Sequence, residues 1–274
     1  MRGAGDLASG VLAAIHTSGF RVLALETEYP TAIRRTVAFS EAVRLGSCSI
    51  EGIRACRIGK QEAAALFCRD AADCEAEDYA GVIPVAVDPA GELISVLKPA
   101  AVIDAVIAKK NCGTRIDMAP LVVALGPGFT AGADAHIVIE TMRGHNLGRL
   151  IYSGTAQPNT GIPGLIAGES VLRVIHAPAE GRLQVIRDIG AAAERGELIA
   201  RILGPDGYSA AIEAPISGLV RGMLPDGFPV RAGMKMADID PRSAEKQNCT
   251  SISDKARALG GAVLLALLSR GITP

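Results

Sequence analysis

The sequence contains no tryptophan, and aromatic residues account for only 3% of its 274 residues. Hydrophobic residues nevertheless make up 49% of the chain, so its interior must be built from alanine, valine, isoleucine and leucine. These residues typically fill buried parallel sheets and the helices that cover them. The composition therefore favours an α/β fold, and the length allows one large domain or two domains of ordinary size.

The chain also lacks an excess of charge of either sign, since 28 basic and 29 acidic residues give a formal net charge of -1. A chain without net positive charge is not expected to attract nucleic acid or an anionic membrane. The longest apolar run, Ala262 to Leu268, is far shorter than the roughly 18 residues that span a bilayer, and Met1-Arg2-Gly3 does not resemble a signal peptide. We predict a cytoplasmic protein without nucleic-acid or membrane partners.

Paired cysteine motifs are missing as well. The chain has six cysteines and no CxxC pair, which argues against both a disulfide scaffold and a zinc ribbon. The cysteines are Cys48, Cys56, Cys68, Cys74, Cys112 and Cys249. We expect reduced thiols.

Glycines are concentrated at the start of the chain, where Gly3-x-Gly5-x-x-Ala8 fits the dinucleotide-binding fingerprint. Two glycines let the backbone approach a pyrophosphate, and a small third residue lets helix and strand pack closely. Glu26 follows Gly3 by 23 residues at the end of a predicted strand, where the fingerprint places its ribose-binding acid. We therefore predict a dinucleotide site that includes Gly3, Gly5, Gly10 and Glu26.

The same segment departs from the fingerprint in two ways. Almost nothing precedes the glycines, so the first strand of the expected βαβ unit is missing or reduced to a stub, and the recorded start could be truncated. Asp6, which we include in the predicted site, places a negative charge beside the expected phosphate, where it could instead cap the helix or hold a substrate amine. A βαβ unit with an empty or altered pocket is therefore an alternative.

Three further charged residues are candidates for ligand binding. Arg34 and Arg35 follow the second strand in a loop, where their guanidinium groups could grip phosphate or carboxylate; the alternative is a solvated surface. Asp104 stands near the carboxyl end of a possible sheet strand, and such ends bind ligands in α/β sheets. The alternative for Asp104 is an exposed helix end.

Metal and thiol chemistry receive less support. His136 and Glu140 would share one face of a strand, with His145 as a third ligand, but the spacing matches no zinc signature, and a hydrogen-bonded pair is the preferred interpretation. Cys249 has Lys246 and Lys255 nearby in the sequence and precedes a helix start, features that could lower a thiol pKa, although a buried or idle thiol is the simpler interpretation. We predict no metal site and assign no catalytic residue.

Hydrophobic periodicity predicts the order of helices and strands. A helix follows the glycines, and a second helix begins at Ser253 or Asp254, where Gly260-Gly261 is expected to interrupt it. Between them we predict a strand at Phe20–Leu25, two strands within 49–57, a helix at Lys60–Phe67, and strands at Ala80–Val87, Ala101–Ala108, Leu121–Leu125 and His136–Thr141.

An internal repeat occupies the region after residue 168. Ala177–Ile202 aligns without gaps with Ala214–Ile239 at an offset of 37 residues, and seven positions are identical. A single half-repeat of this kind cannot bury its hydrophobic face by itself. We therefore predict that they close on each other as a flattened barrel, joined at the hairpin Gly204-Pro205-Asp206-Gly207.

The tripeptide Met234-Lys235-Met236 matches the sequence around the modified lysine of biotin carriers. In the carrier domain that lysine lies at the tip of the hairpin between the half-repeats. Here Lys235 falls inside the second half, and the linking hairpin has no lysine. We therefore predict a structural or docking module without covalent biotin or lipoyl.

These patterns predict an α/β chain in three parts. Residues 1–168 form a Rossmann-like, nucleotide-binding domain with a parallel sheet. Residues 169–245 form a small duplicated all-β barrel-sandwich that resembles a biotinyl/lipoyl domain, and residues 246–274 form a helix that packs on the body.

Several long segments match one known family. They are Gly3–Gly10, Pro30–Val43, Leu125–Gly132, Arg143–Arg149, Asp238–Arg242 and Ser253–Arg257. Together they resemble the YqeB family of accessory proteins from selenium-dependent molybdenum hydroxylase systems, and the resemblance covers nearly the whole chain. It implies a part in maturing a molybdenum hydroxylase, without implying a reaction or catalytic residues.

The leading hypothesis is therefore a maturation factor for a selenium-dependent molybdenum hydroxylase. Its first domain would bind a nucleotide or the nucleotide-bearing molybdenum cofactor, and its barrel would dock the hydroxylase or another maturation factor. The alternatives are an NAD(P)-dependent oxidoreductase of a small metabolite and a non-catalytic scaffold. The cofactor is accordingly left open between NAD(P) and a molybdopterin dinucleotide.

Overall fold

The computed structural model describes residues 1–67, 81–161, 167–204, 207, 209–242 and 244–274 of a mixed α/β protein. The chain divides into two compact units. Unit 1 comprises Met1–Pro30, Ala38–Asn159 and Ile252–Pro274, and unit 2 comprises Thr31–Val37 and Thr160–Ser251. This division is discontinuous, whereas the sequence led us to expect contiguous domains at 1–168 and 169–245 and a C-terminal helix at 246–274 that packs on the body.

Unit 1 contains helices and mostly parallel strands. The helices are α1 (Asp6–Thr17), α2 (Glu41–Leu45), α3 (Lys60–Phe67), α4 (Glu92–Leu97) and α5 (Asp254–Leu268). The strands are β1 (Ala24–Glu26), β2 (Ser47–Ile50), β3 (Ile53–Ile58), β4 (Val82–Val87), β5 (Ala101–Asp104), β6 (Leu121–Leu125), β7 (Thr130–Ala131), β8 (Ile137–Ile139), β9 (Leu150–Ile151) and β10 (Gly154–Thr155). None of the helices in the described ranges is both long and apolar enough to cross a bilayer.

Residues 1 to 3 lie between two four-stranded sheets of unit 1, ordered β1-β4-β3-β2 and β5-β6-β8-β9. Arg2 forms parallel bridges with Leu25 of β1 and with Asp104 of β5. The Gly3 N–H donates to the Leu25 carbonyl at 2.7 Å, and the Ala105 N–H donates to the Arg2 carbonyl at 2.9 Å. The short start of the chain therefore occupies the place of a central parallel strand.

The parallel pairs run from β3 through β4, β1, residues 1 to 3, β5 and β6 to β8, with antiparallel β2 and β9 at the edges. Because these parallel strands point the same way, their carboxyl ends share one edge of the sheet. We call this the carboxyl edge. The loops that follow Glu26, Asp104, Leu125 and Ile139 all leave the sheet there.

Buried strands were predicted from apolar runs, and most lie where expected. The helix at Lys60–Phe67 and the strand at Leu121–Leu125 have the predicted bounds. The run Ala101–Ala108 is a strand only as far as Asp104, and Ile107 beyond it has a positive φ of 57°, which a β-branched residue rarely adopts. Cys68, Cys74 and the hairpin residues Pro205 and Asp206 lie outside the described residues.

Unit 2 is built from two antiparallel sheets. Its strands are β11 (Val174–His176), β12 (Gly181–Val185), β13 (Ala192–Ala193), β14 (Leu198–Leu203), β15 (Ser209–Glu213), β16 (Gly218–Met223), β17 (Pro229–Val230) and β18 (Lys235–Asp240). The sheet orders are β11-β18-β16-β13 and β15-β14-β12-β17. The strands β12, β13 and β14 begin 37 residues before β16, β17 and β18, which is the offset of the sequence repeat.

The two halves of the repeat exchange edge strands. β13 of the first half pairs with β16 of the second, and β17 of the second pairs with β12 of the first. Backbone bonds repeat in the same way, since Gly190 N–H donates to Val220 O and Gly227 N–H donates to Leu183 O. The halves therefore close on a shared core, as expected.

The expected closed barrel is not formed by the described strands of unit 2. They make two separate four-stranded sheets instead. The physical reason is that β13 and β17 are only two residues long and each pairs with one neighbour, so backbone hydrogen bonding stops at these edges.

Helices α1 and α5 of unit 1 touch through glycines. A Cβ at Gly10 would lie 2.5 Å from the carbonyl oxygen of Ala256, and a Cβ at Gly260 would lie 2.6 Å from the carbonyl oxygen of Gly10 and 2.8 Å from the Cβ of Ala14. Gly10 lies against Ala256, and Ala14, one turn later in α1, lies against Gly260, one turn later in α5, so the two helices run in the same direction. The expected interruption of α5 at Gly260-Gly261 is wrong, because the helix continues to Leu268.

The two adjacent glycines of α5 should respond in opposite ways to the same change. Gly260→Ala should destabilise the protein by about 1–3 kcal/mol, because the methyl group would overpack the contact with α1. Gly261 has no atom within 4 Å of its Cβ position, so Gly261→Ala should stabilise the protein by up to about 1 kcal/mol through helix propensity. Urea unfolding of both variants measures this, and equal effects would refute the glycine contact.

Candidate functional site

A glycine loop connects the first residues of unit 1 to α1 at the carboxyl edge. Gly3 has a φ of 89°, and a Cβ there would lie 2.8 Å from the carbonyl oxygen of Ala105, so the position requires glycine. The Ala4 N–H donates to Glu26 Oε2 at 2.9 Å. The other oxygen of Glu26 accepts from the Thr27 N–H at 2.7 Å. The structure thus brings Gly3 and Glu26 together, with the Glu26 carboxylate beside the loop.

Two serines support the same loop. The Ser9 hydroxyl donates to the carbonyls of Ala4 and Gly5 and accepts from the Phe39 N–H at 2.8 Å. The Ser40 N–H donates to the Ala4 carbonyl at 2.8 Å. The Ser40 hydroxyl is buried and has no hydrogen-bond partner in the described part of the chain. A buried polar atom of this kind needs a partner, and here it stands next to the loop.

Lys255, in the first turn of α5, lies close to Asp6 in the first turn of α1. Burial lowers the pKa of Lys255 below the ordinary lysine value, and the positive charges of Arg143 and Lys109 lower it further, whereas Asp6 and Glu140 favour the protonated amine. These five side chains therefore form one cluster of mixed charge at the carboxyl edge. We call it the Lys255 cluster.

The first turn of α5 is held in place by its cap and by a loop. Ser253 caps the helix by accepting the Ala256 N–H at 3.2 Å. Arg143 binds the carboxylate of Asp254 with both terminal nitrogens, one of them at 3.1 Å. The contacts fix the residues on either side of Lys255.

Glu140 directly follows β8 and is 3% exposed. Its carboxylate accepts the Met142 N–H at 2.7 Å and the Gln157 N–H at 2.8 Å, so it holds two loops at the carboxyl edge. With Asp6 it supplies the negative charge that faces Lys255.

Asp104 is placed at a strand end, as predicted, but its carboxylate is engaged inside unit 1. It is 1% exposed, accepts from the Thr114 hydroxyl at 2.5 Å, and lies 3.5 Å from Arg2 Nη1. Arg2 also donates to the Cys112 carbonyl at 2.9 Å. These bonds tie the loop after β5 to the start of the chain.

The arginine pair lies in unit 2 and is occupied with backbone carbonyls. Arg34 is 5% exposed and donates to the Asn248 carbonyl at 2.9 Å. Arg35 donates to the Met223 carbonyl at 2.8 Å and pairs with Asp188. Both arginines therefore hold the Thr31–Val37 segment within unit 2, and neither belongs to the Lys255 cluster. Gly10 likewise lies against α5 rather than at the glycine loop.

The metal and thiol candidates do not converge. His136 Nδ1 accepts the Val122 N–H at 3.0 Å, and in the described ranges no three His, Cys, Asp or Glu side chains are placed to hold a metal. Burial raises the pKa of the Cys249 thiol, although Arg221 and Arg34 oppose this effect. The lowered thiol pKa considered from the sequence is therefore not found.

Sequence reasoning did not identify Lys255 as a site residue. It lies 249 positions after Asp6 and follows the whole of the second part of unit 2 along the chain. The available signal was its place in the segment Ser253–Arg257, which the family resemblance already singled out.

A comparison with curated proteins finds one close relative of the chain. The chain is 50% identical over 268 residues to a protein of Escherichia coli strain K12 whose name is uncharacterized protein YqeB, and the match covers 98% of the chain. This similarity supports membership of the YqeB family. The chain spans about half the length of this relative, 47% of it. No protein-family profile matches the chain.

Comparison with solved structures gives only low similarity over about a third of this chain. The ectoine utilization protein EutE (DoeB) from Ruegeria pomeroyi is 22% identical, with a TM-score of 0.25, over 32% of this chain and 28% of that one. A succinylglutamate desuccinylase/aspartoacylase from Rhodobacter sphaeroides is 19% identical, with a TM-score of 0.24, over 33% and 30% of the two chains. Similarity this low gives no information about the function of the chain.

The Lys255 cluster predicts opposite pKa shifts in two variants. Replacing Arg143 with Gln removes a repelling charge and should raise the pKa of Lys255, whereas Asp6→Asn removes an attracting charge and should lower it. In the parent protein Lys255 should titrate below the ordinary value of 10.5. NMR titration of proteins with ¹³C-methylated lysines measures the pKa of Lys255 in the parent and in both variants. Shifts of the same sign in both variants would contradict the cluster.

Proposed function

We propose that unit 1 binds a nucleotide-bearing ligand at the carboxyl edge, between the glycine loop and the Lys255 cluster. The observation that carries the proposal is the convergence of four features there. They are the glycine loop of Gly3 and Gly5, the first turn of α1, the unpartnered hydroxyl of Ser40, and the amine of Lys255. Backbone N–H groups at a helix start and a nearby lysine are the donors that phosphate groups take in proteins.

The Lys255 amine is the charge in the cluster that would respond to an anionic ligand. Arg143 is paired with Asp254, so Lys255 and Lys109 face Asp6 and Glu140, and these charges balance when Lys255 is protonated. An anion bound beside Lys255 would favour its protonated form and offset the cost of its burial. In this proposal Asp6 favours the protonated amine of Lys255 when no ligand is bound.

We further propose that the chain is a maturation factor for a selenium-dependent molybdenum hydroxylase, and that its ligand is the nucleotide-bearing molybdenum cofactor. The support is the family resemblance together with the 50% identity to YqeB. Its partners in this proposal are the hydroxylase or another maturation factor, and unit 2 is the docking module. An NAD(P)-dependent oxidoreductase remains the second candidate, favoured by the position of Glu26 beside the glycine loop.

Two fold assignments belong to the same proposal. Unit 1 is assigned a Rossmann-like arrangement, supported by the parallel order around residues 1 to 3 and by the glycine loop before α1. Unit 2 is assigned a biotinyl/lipoyl-like relationship, supported by the 37-residue repeat and the exchanged strands. Lys235 begins β18, within the second half of the repeat, so no covalent biotin or lipoyl is proposed.

Native mass spectrometry with NAD, NADP, ATP, CTP and molybdopterin cytosine dinucleotide tests the ligand. We expect the molybdopterin dinucleotide to bind, with at least tenfold weaker binding by Lys255→Met and none by Gly5→Trp. Lys246→Met is the matched control, since Lys246 is an exposed lysine of unit 2, and it should bind like the parent.

Other results of that experiment would redirect the proposal. Binding of NAD or NADP alone, followed by turnover, would establish the oxidoreductase instead. If no nucleotide binds and a partner protein is still captured by the Gly5→Trp variant, the chain is a scaffold.

A further inference from the structure

A concave region of unit 1 lies at the edge of the parallel sheet opposite the carboxyl edge. It has a volume of about 1010 Å³ and is lined by residues that come immediately before strands, namely Ala100 before β5, Pro120 before β6 and His136 before β8. These positions are at the amino ends of strands whose carboxyl ends lead to the Lys255 cluster. The region, which we call the amino-edge pocket, is therefore separate from the proposed nucleotide site.

Cations without acidic partners line this pocket. Lys98 and Arg270 form no ion pair with any described residue. The guanidinium of Arg270 lies 5.9 Å from the ring centroid of Tyr152, which positions the group without neutralising it. Arg115 also lines the pocket but is paired with Asp117 at 3.0 Å. The pocket thus has an excess of positive charge.

His136 adds an N–H donor in a fixed orientation. Its Nδ1 accepts the Val122 N–H at 3.0 Å, and its own backbone N–H donates to the Val122 carbonyl at 2.9 Å. Because Nδ1 accepts this bond, the ring N–H is on Nε2. The side chain therefore offers an N–H donor to a pocket ligand.

Lys98 caps the carboxyl end of α4, where it has a φ of 45°, and it is followed by Pro99. Its backbone N–H donates to the Ile94 carbonyl at 3.0 Å, so the cap fixes the position of Lys98 at the pocket.

The remaining lining is apolar. Ile94, Met118, Leu121 and Ile272 contribute hydrophobic surface beside the donors. Donors and cations select a carboxylate or phosphate, and the apolar surface selects a ligand with a hydrocarbon part. We propose that the amino-edge pocket binds a small organic anion, a carboxylate or phosphate monoester with an apolar body, at a site distinct from the nucleotide site.

Methyl NMR of the full chain tests this pocket with defined probes. Hexanoate and hexyl phosphate are titrated against protein with labelled Ile and Met methyl groups, and inorganic phosphate and hexanol serve as comparison probes. We expect saturable shifts at Ile94, Met118 and Ile272 with hexanoate, hexyl phosphate or both, and binding at least tenfold weaker for inorganic phosphate and for hexanol. The two organic probes separate a carboxylate ligand from a phosphate ester.

Variants with exposed substitutions complete the test. Lys98→Gln combined with Arg270→Gln should weaken binding of the organic anion at least tenfold without lowering Tm, whereas Lys246→Gln should leave it unchanged. The proposal is overturned if no organic anion gives saturable shifts, if the double variant binds as well as the parent, or if hexanol binds equally well. None of these results depends on nucleotide binding at Lys255.

Discussion

The close contact between α1 and α5 is the constraint on which the candidate site depends. Helices can approach until their backbones touch only where side chains are absent, and Gly10 and Gly260 meet this condition. The parallel contact brings the first turns of both helices to the same edge of the sheet. Lys255 thereby lies beside Asp6, although 248 residues separate them in the sequence. The helix contact thus places a residue of the last helix at the edge of the sheet where the glycine loop lies.

The same contact explains why an acidic residue can stand beside an expected phosphate site. Asp6 would repel a phosphate if it were alone, but it faces the amine of Lys255 and the positive charges of Arg143 and Lys109. Glu26 and Glu140 are held by backbone N–H groups on the loops that border this edge. Arg143 is itself paired with Asp254. The acids therefore organise the loops and balance the lysine.

The local patterns predicted much of the fold, because buried strands and capped helices depend on nearby residues. The helix at Lys60–Phe67, the strand at Leu121–Leu125, the Ser253 cap and the spacing of the repeat follow from such patterns. Gly3 and Glu26 were brought together as the fingerprint implies. Local patterns of this kind do not predict contacts between segments that are distant in the sequence. Arg34 and Arg35 donate to distant carbonyls, and Asp104 pairs with Arg2 at the start of the chain. Gly260 fits against α1 rather than ending α5.

The central claim is that the glycine loop and the first turn of α5 form one ligand site. Hydrogen exchange of the full chain, measured by mass spectrometry with and without molybdopterin cytosine dinucleotide, tests it most directly. The account predicts that the ligand slows exchange in residues 3–9 and 253–257 together, with the same concentration dependence. Protection of only one of these segments, or protection confined to unit 2, would contradict it.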